Sequence, residues 1–211
     1  MVKTVVCFGD SNTHGYDAMT NGRFAAEERW PGRLQTLLGE GYRVIEEGLS
    51  GRTAVFRDPL FEGLCGLDYL YPCLMSHEPV DSLLVMLGTN DVKLRFSATA
   101  ANIARGMERL LTKALRTPEA FRGGKPDILL IAPPSIGIEY ERTMVYGEMG
   151  AGCHEKTDLL RGFYRELAER LSIRYLDAGS IPGLRMSPPD YMHLNAEGHR
   201  LLAETLAELL P

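Results

Sequence analysis

The sequence has no stretch approaching the roughly 18 consecutive apolar residues that a membrane-crossing helix needs, so no membrane partner is expected. It has no basic run longer than two residues, and its formal net charge is -5 with a pI near 5.6. Those features argue against a nucleic-acid surface. Cysteine is scarce: Cys7, Cys65, Cys73 and Cys153 lie far apart, with no C-x-x-C pair. Neither a zinc site nor a dithiol redox motif is indicated, and the four read as reduced thiols of a cytoplasmic protein. Met1-Val2-Lys3 leads directly into a strand-like segment. The apolar region and small-residue cleavage site of a secretory leader are missing there, which again predicts a cytoplasmic location. There is also no internal repeat, no low-complexity linker and no shift in composition, so residues 1–211 are expected to form a single domain.

What is present is an alternation of short apolar runs with helical periodicity. Residues 4–8, 42–47, 82–87, 127–132 and 173–179 read as strands. Residues 30–38 and 66–76 read as helices between them, followed by Ile103, Met107, Leu110, Leu111 and Leu115 at helical spacing. Leu159, Leu160, Phe163, Leu167 and Leu171 mark another helix, and Leu202, Leu206 and Leu209 a terminal one. Residues 134–154 carry no clear period. Five apolar strands alternating with helices predict an α/β fold, a parallel sheet covered on both faces. Right-handed crossovers then place the C-terminal ends of all strands on one edge, where open sheets of this kind bind ligands.

The residues after the strands are polar. Asp10-Ser11-Asn12 follows the first, Ser50-Gly51-Arg52 the second and Thr89-Asn90-Asp91 the third, while SPPDYMH (187–193) precedes the last helix. A serine becomes a nucleophile when a histidine takes its proton and a third group orients that histidine. Asp190 and His193, three residues apart in one tight turn, suit the second and third roles, and Ser11 the first. The backbone N–H groups of Ser11 and Gly51 and the side-chain amide of Asn90 are candidate donors to an oxyanion. Glycine at position 51 would let a carbonyl oxygen approach the backbone closely. Three other sites are disfavoured. Gly9 and Gly15 are not followed by the Lys-Ser/Thr pair of a phosphate-binding loop, and Thr13 breaks the G-x-S-x-G pattern of a nucleophile elbow. A magnesium site built from Asp10, Asp91 and Asp190 would leave Ser11, Gly51 and His193 without roles.

The blocks GDSNTHG, GLSGRT, GTND and DYMH, in that order over residues 9–193, resemble the four blocks of the SGNH (GDSL) hydrolases. That resemblance implies a flavodoxin-like three-layer α/β/α sandwich with a five-stranded parallel sheet. It also implies a Ser11, Asp190 and His193 triad, and an oxyanion hole formed by Ser11, Gly51 and Asn90. No metal or organic cofactor is expected. CFGDSNTHGYD, ERWPGRLQ, VIEEGLSGRT and MLGTNDVK are similar to the bacterial arylesterase and acyltransferase (perhydrolase) branch. Members of that branch act on small esters, pass acyl groups to alcohols or peroxide, and tend to be homo-oligomers. The partner implied is thus a small ester, with O-acetylated carbohydrates, lysophospholipids and thioesters as alternatives within the family.

Other residues carry weaker expectations. Asp10 and Asp91 are expected to brace the loops, and Arg52 and Lys93 to be solvated charges, with recognition of an anionic substrate as the alternative. His14 is divided between lining the pocket and a plain loop role. His77, His154 and His199 read as structural, the first two with no partner visible in the sequence. Residues 17–28 and 134–154 are the expected places for channel and subunit contacts. Tyr140, Met144, Tyr146 and Met149 are candidates for an apolar lid or a subunit contact.

Overall fold

A computed structural model describes residues 1–210. In chain order it contains β1 (Lys3–Gly9), α1 (Ser11–His14), β2 (Tyr16–Asp17), β3 (Gly22–Arg23), α2 (Trp30–Leu38), β4 (Tyr42–Gly48) and α3 (Gly66–Ser76). These are followed by β5 (Ser82–Met86), α4 (Ala100–Leu115), β6 (Ile128–Ala132), α5 (Tyr146–Met149), α6 (Cys153–Leu171), β7 (Arg174–Asp177) and α7 (Ala196–Leu209). The five long strands form one parallel sheet in the order β4-β1-β5-β6-β7, and β2 and β3 make a separate hairpin. This is the flavodoxin-like three-layer α/β/α sandwich.

The strands alternate their side chains between two apolar layers, as the period of two requires. Val6, Phe8, Leu83, Val85 and Leu130 face α3, α4 and α6, meeting Leu74, Met107, Leu110, Leu160 and Leu167. Val5, Cys7, Leu84, Met86 and Leu129 face α2 and α7, meeting Trp30, Leu34, Leu202 and Leu206. Full burial of each such aliphatic side chain is worth about 1.5–3 kcal/mol of transfer free energy, and both faces of the sheet are stabilised this way. The edge strands β4 and β7 are only partly covered, which is why charged Glu46 and Glu47 are tolerated in β4.

Register aligns the ends that matter. Gly9 of β1 sits level with Gly48 of β4 on one side and with Met86 of β5 on the other. The chain reverses its direction of growth across the sheet between β1 and β5, the place where such folds open a crevice. Among the described residues no helix is long and apolar enough to cross a membrane.

Candidate active site

The nucleophile loop begins with a capped turn. Asp10 accepts a hydrogen bond from the Asn12 N–H at 2.9 Å and so starts the one-turn helix α1. The first residue of that helix is Ser11, 4% exposed, on the crevice edge of β1. The helix lies so tightly against the end of β4 that a Cβ on Gly48 would sit 2.1 Å from the His14 backbone nitrogen. Only glycine is accommodated there.

His193 Nε2 is 2.8 Å from Ser11 Oγ, and His193 Nδ1 is 2.6 Å from Asp190 Oδ2. The second Asp190 oxygen accepts the N–H groups of Met192 at 3.0 Å and His193 at 3.2 Å. Burial pushes the Asp190 carboxyl up, but the hydrogen bond and charge of His193 together with these N–H donors outweigh it. Its pKa lies below the ordinary carboxylate value, so it stands as an anion beside the imidazole. The Tyr16 ring packs on His193 with centroids 4.6 Å apart.

Gly51, at φ +85°, holds a backbone conformation that side-chain-bearing residues rarely adopt, and its N–H borders the same crevice. The Asn90 amide nitrogen is 3.2 Å from the Arg52 carbonyl oxygen and 3.5 Å from Asp10 Oδ2, the latter at the limit of a hydrogen bond. Ser11, Gly51, Asn90, Asp190 and His193 all line one cavity of about 220 Å³, whose walls are otherwise Tyr16, Val145, Met149 and Met192 with Ser50, Lys93 and Glu148. All five sequence-predicted site residues are thus brought together, although they lie on loops after different strands. A larger open depression of about 960 Å³ beside α3 and α4 is lined by charges of both signs such as Asp68, Glu108, Arg109 and Lys113, and has no serine with a histidine.

A family model described as GDSL-like lipase/acylhydrolase matches residues 7–201. The chain belongs to the GDSL-like lipase/acylhydrolase family. Solved structures of the family lie close to it. It is 38% identical to a carbohydrate acetylesterase family member from Sinorhizobium meliloti, with a TM-score of 0.89 over 99% of this chain and 97% of that one. It is 35% identical to the aryl esterase of M. smegmatis, with a TM-score of 0.86 over 99% and 98% of the two chains. An acetylxylan esterase of Xylanibacter ruminicola is 25% identical over 96% of this chain, which spans only 42% of that longer protein.

Several sequence expectations give way to the structure. Arg52 and Lys93 are not solvated: they are 4% and 5% exposed. Lys93 Nζ donates to Glu148 Oε1 at 3.2 Å inside the cavity wall, because α5 folds back over the loop after β5. His77 does have a partner, with Nε2 2.7 Å from Glu47 Oε1, and His154 Nδ1 is 2.6 Å from the Ile136 carbonyl oxygen. His199 is structural as expected: its Nδ1 accepts the Trp30 N–H at 3.3 Å, tying α7 to α2, and burial drives its pKa down to about 3. His14 does not line the cavity. Residues 134–154 are not a structureless loop. They contain a 3₁₀ turn (Ile138–Arg142), α5 and the start of α6, and they give Val145, Glu148 and Met149 to the cavity. Tyr140 is no lid residue but fully buried, its hydroxyl donating to Gly150 O at 2.8 Å and accepting from the Cys153 N–H at 3.1 Å.

Two contributors went unread. Asn12 ties the nucleophile helix to the histidine loop, donating to Met192 O at 3.2 Å and accepting from Leu194 N–H at 2.9 Å. Tyr16 packs at a tilt against the His193 ring. Neither has a signal beyond its position in the first block.

The three aspartates do not serve one cation. Asp190 is held by His193 and Asp10 caps α1, while Asp91 accepts the Ala54 N–H at 2.9 Å. Burial raises Asp10 to about 6 and Asp91 to about 7, as expected for carboxylates bracing a dry loop cluster. Among the described residues, metal-type donors crowd together at Glu47, Cys73 and His77, within 4.8 Å of one another. The Arg52 guanidinium acts on that same glutamate and thiol, and its positive charge opposes a cation there. Burial also pushes the Cys73 thiol up to about 12, away from the thiolate a metal would require.

Proposed function

We propose that the chain is a serine esterase that cleaves short-chain carboxylic esters through an acyl-enzyme. The observation that carries this reading is the unbroken line from Asp190 through His193 to Ser11, at 2.6 and 2.8 Å, ending in a small cavity. His193 takes the Ser11 proton as Oγ attacks the ester carbonyl, and Asp190 stabilises the imidazolium that results. The N–H groups of Ser11 and Gly51 receive the developing negative charge. Asn90 joins them by turning the amide hydrogen that makes only the 3.5 Å contact to Asp10. His193 then protonates the leaving alcohol, and water or a second alcohol discharges the acyl group.

The cavity volume, about 220 Å³, is below the 300–1,000 Å³ common for larger ligands and supports acetyl over long acyl chains. Its Tyr16, Val145, Met149 and Met192 walls favour an apolar acyl or alcohol group over bulk water, which supports transfer beside hydrolysis. Carbohydrate O-acetyl esters stand as the second reading, favoured by the acetylesterase relatives in Sinorhizobium meliloti and Xylanibacter ruminicola. Both readings predict the same trend across p-nitrophenyl esters from acetate to decanoate. Acetate should be fastest, with the rate declining steadily as the chain grows, and methanol should divert part of the acyl flux to methyl ester. A maximum at octanoate or beyond would end the short-chain reading, and release of acetate from acetylated xylose at a higher kcat/KM than from the aryl ester would select the second.

A homo-oligomer is part of the same proposal. Leu94, Ile138, Met144 and Tyr146 are exposed on or beside the segment that walls the cavity, a patch suited to a second copy of this chain. Light scattering should give a mass of two or more chains, and a monomer at micromolar concentration would exclude it.

A further inference from the structure

The three oxyanion donors come from three strand ends: Ser11 after β1, Gly51 after β4 and Asn90 after β5. Strand register fixes where these strands stop, but not the relative placement of the loops beyond them. The side chain placed among those loops is Arg52. Its Nη1 donates to the Gly9 carbonyl oxygen at 3.1 Å and to the Glu47 carbonyl oxygen, so one guanidinium bridges the last residues of β1 and β4. Its own carbonyl oxygen accepts the Asn90 amide at 3.2 Å, bringing in the loop after β5. Its N–H donates to Leu49 O at 3.0 Å, closing the turn that presents Gly51. The guanidinium lies against both the Phe8 and Tyr69 rings, 4.3 and 5.3 Å from their centroids.

We infer that Arg52 is a positioning residue for the oxyanion hole, locking the Ser11, Gly51 and Asn90 loops to one another without touching the substrate. Gly9 lies two residues before Ser11, Leu49 lies two before Gly51, and Asn90 is itself a donor, so the contacts of Arg52 reach all three donor loops. Lysine would not replace it, because an ammonium lacks the flat guanidinium face that lies against the two rings. The inference rests on the catalytic reading above, and concerns only how the hole is held.

The test measures kcat, KM and thermal unfolding for Arg52→Lys, Tyr69→Leu and Tyr69→Phe on p-nitrophenyl acetate, beside Ser11→Ala. Arg52→Lys should lose about a hundredfold in kcat, the scale of one displaced oxyanion donor, with KM almost unchanged. Tyr69 is 39% exposed, so its replacement should leave the fold intact. Tyr69→Leu removes one of the two rings and should lower kcat by a smaller factor. Tyr69→Phe keeps the ring and should match wild type. A folded Arg52→Lys with wild-type kcat overturns the inference, as does one whose loss lies only in KM or follows its unfolded fraction. If Arg52→Lys does not fold, the decision passes to Tyr69→Leu, and wild-type kcat there overturns it. Full activity in Ser11→Ala would bring down the catalytic reading and this inference together. An inactive Ser11→Ala beside a fully active Arg52→Lys would bring down this inference alone.

Discussion

Replacing Ser11 by alanine should lower kcat on p-nitrophenyl acetate by about six orders of magnitude, the loss seen when a triad nucleophile is removed. The reason is the division of labour in the site. Among the described residues Ser11 Oγ is the hydroxyl hydrogen-bonded to His193 Nε2, at 2.8 Å. A residual rate above that in water should survive, since the N–H groups of Ser11 and Gly51 remain and still bind an oxyanion. The fold should survive as well. The change deletes one buried hydroxyl and its hydrogen bond, about 1 kcal/mol, and leaves the Asp10 cap and the Asn12 links untouched. Circular dichroism and a melting curve close to wild type would establish that. A well-folded variant keeping more than a few per cent of the activity would remove Ser11 from the nucleophile role.

The parts of this molecule legible in its sequence were those with a strong local code. Strands β1, β5 and β6 are continuous apolar runs because both faces are covered, and the periodic leucines of α4 mark its buried stripe. The proposed triad could be read because Asp190 and His193 are three residues apart and Ser11 follows a buried strand. What was not legible depends on tertiary placement. Arg52 and Lys93 look like ordinary surface charges, and only the crossing of loops puts one against two aromatic rings and the other against Glu148. The first turn of α6 is written His154-Glu155-Lys156, so no apolar period appears before Leu159, although the helix begins at Cys153. The two-residue strands β2 and β3 are too short to carry any alternation.

Asp190→Asn should be the second most damaging change, with kcat lower by about four orders of magnitude, and the structure explains why an isosteric amide cannot serve. One Asp190 oxygen faces His193 Nδ1 at 2.6 Å, while the other accepts the N–H groups of Met192 and His193 at 3.0 and 3.2 Å. An asparagine has a single carbonyl oxygen to divide between them. Two backbone donors will hold that oxygen, which turns the amide NH₂ toward Nδ1. The ring must then accept at Nδ1 and carry its proton on Nε2, where it becomes a donor to Ser11 and can no longer remove the serine proton. The opposite flip restores the tautomer but points two amide hydrogens at two backbone N–H groups in a buried turn, leaving all of them unsatisfied. The first arrangement keeps the backbone donors paired and therefore prevails, so the histidine is lost as a base and the deficit should appear in kcat, with KM changing far less. Steady-state kinetics at neutral pH decide the matter: a fall of less than tenfold would mean that Asp190 does not set the tautomer of His193.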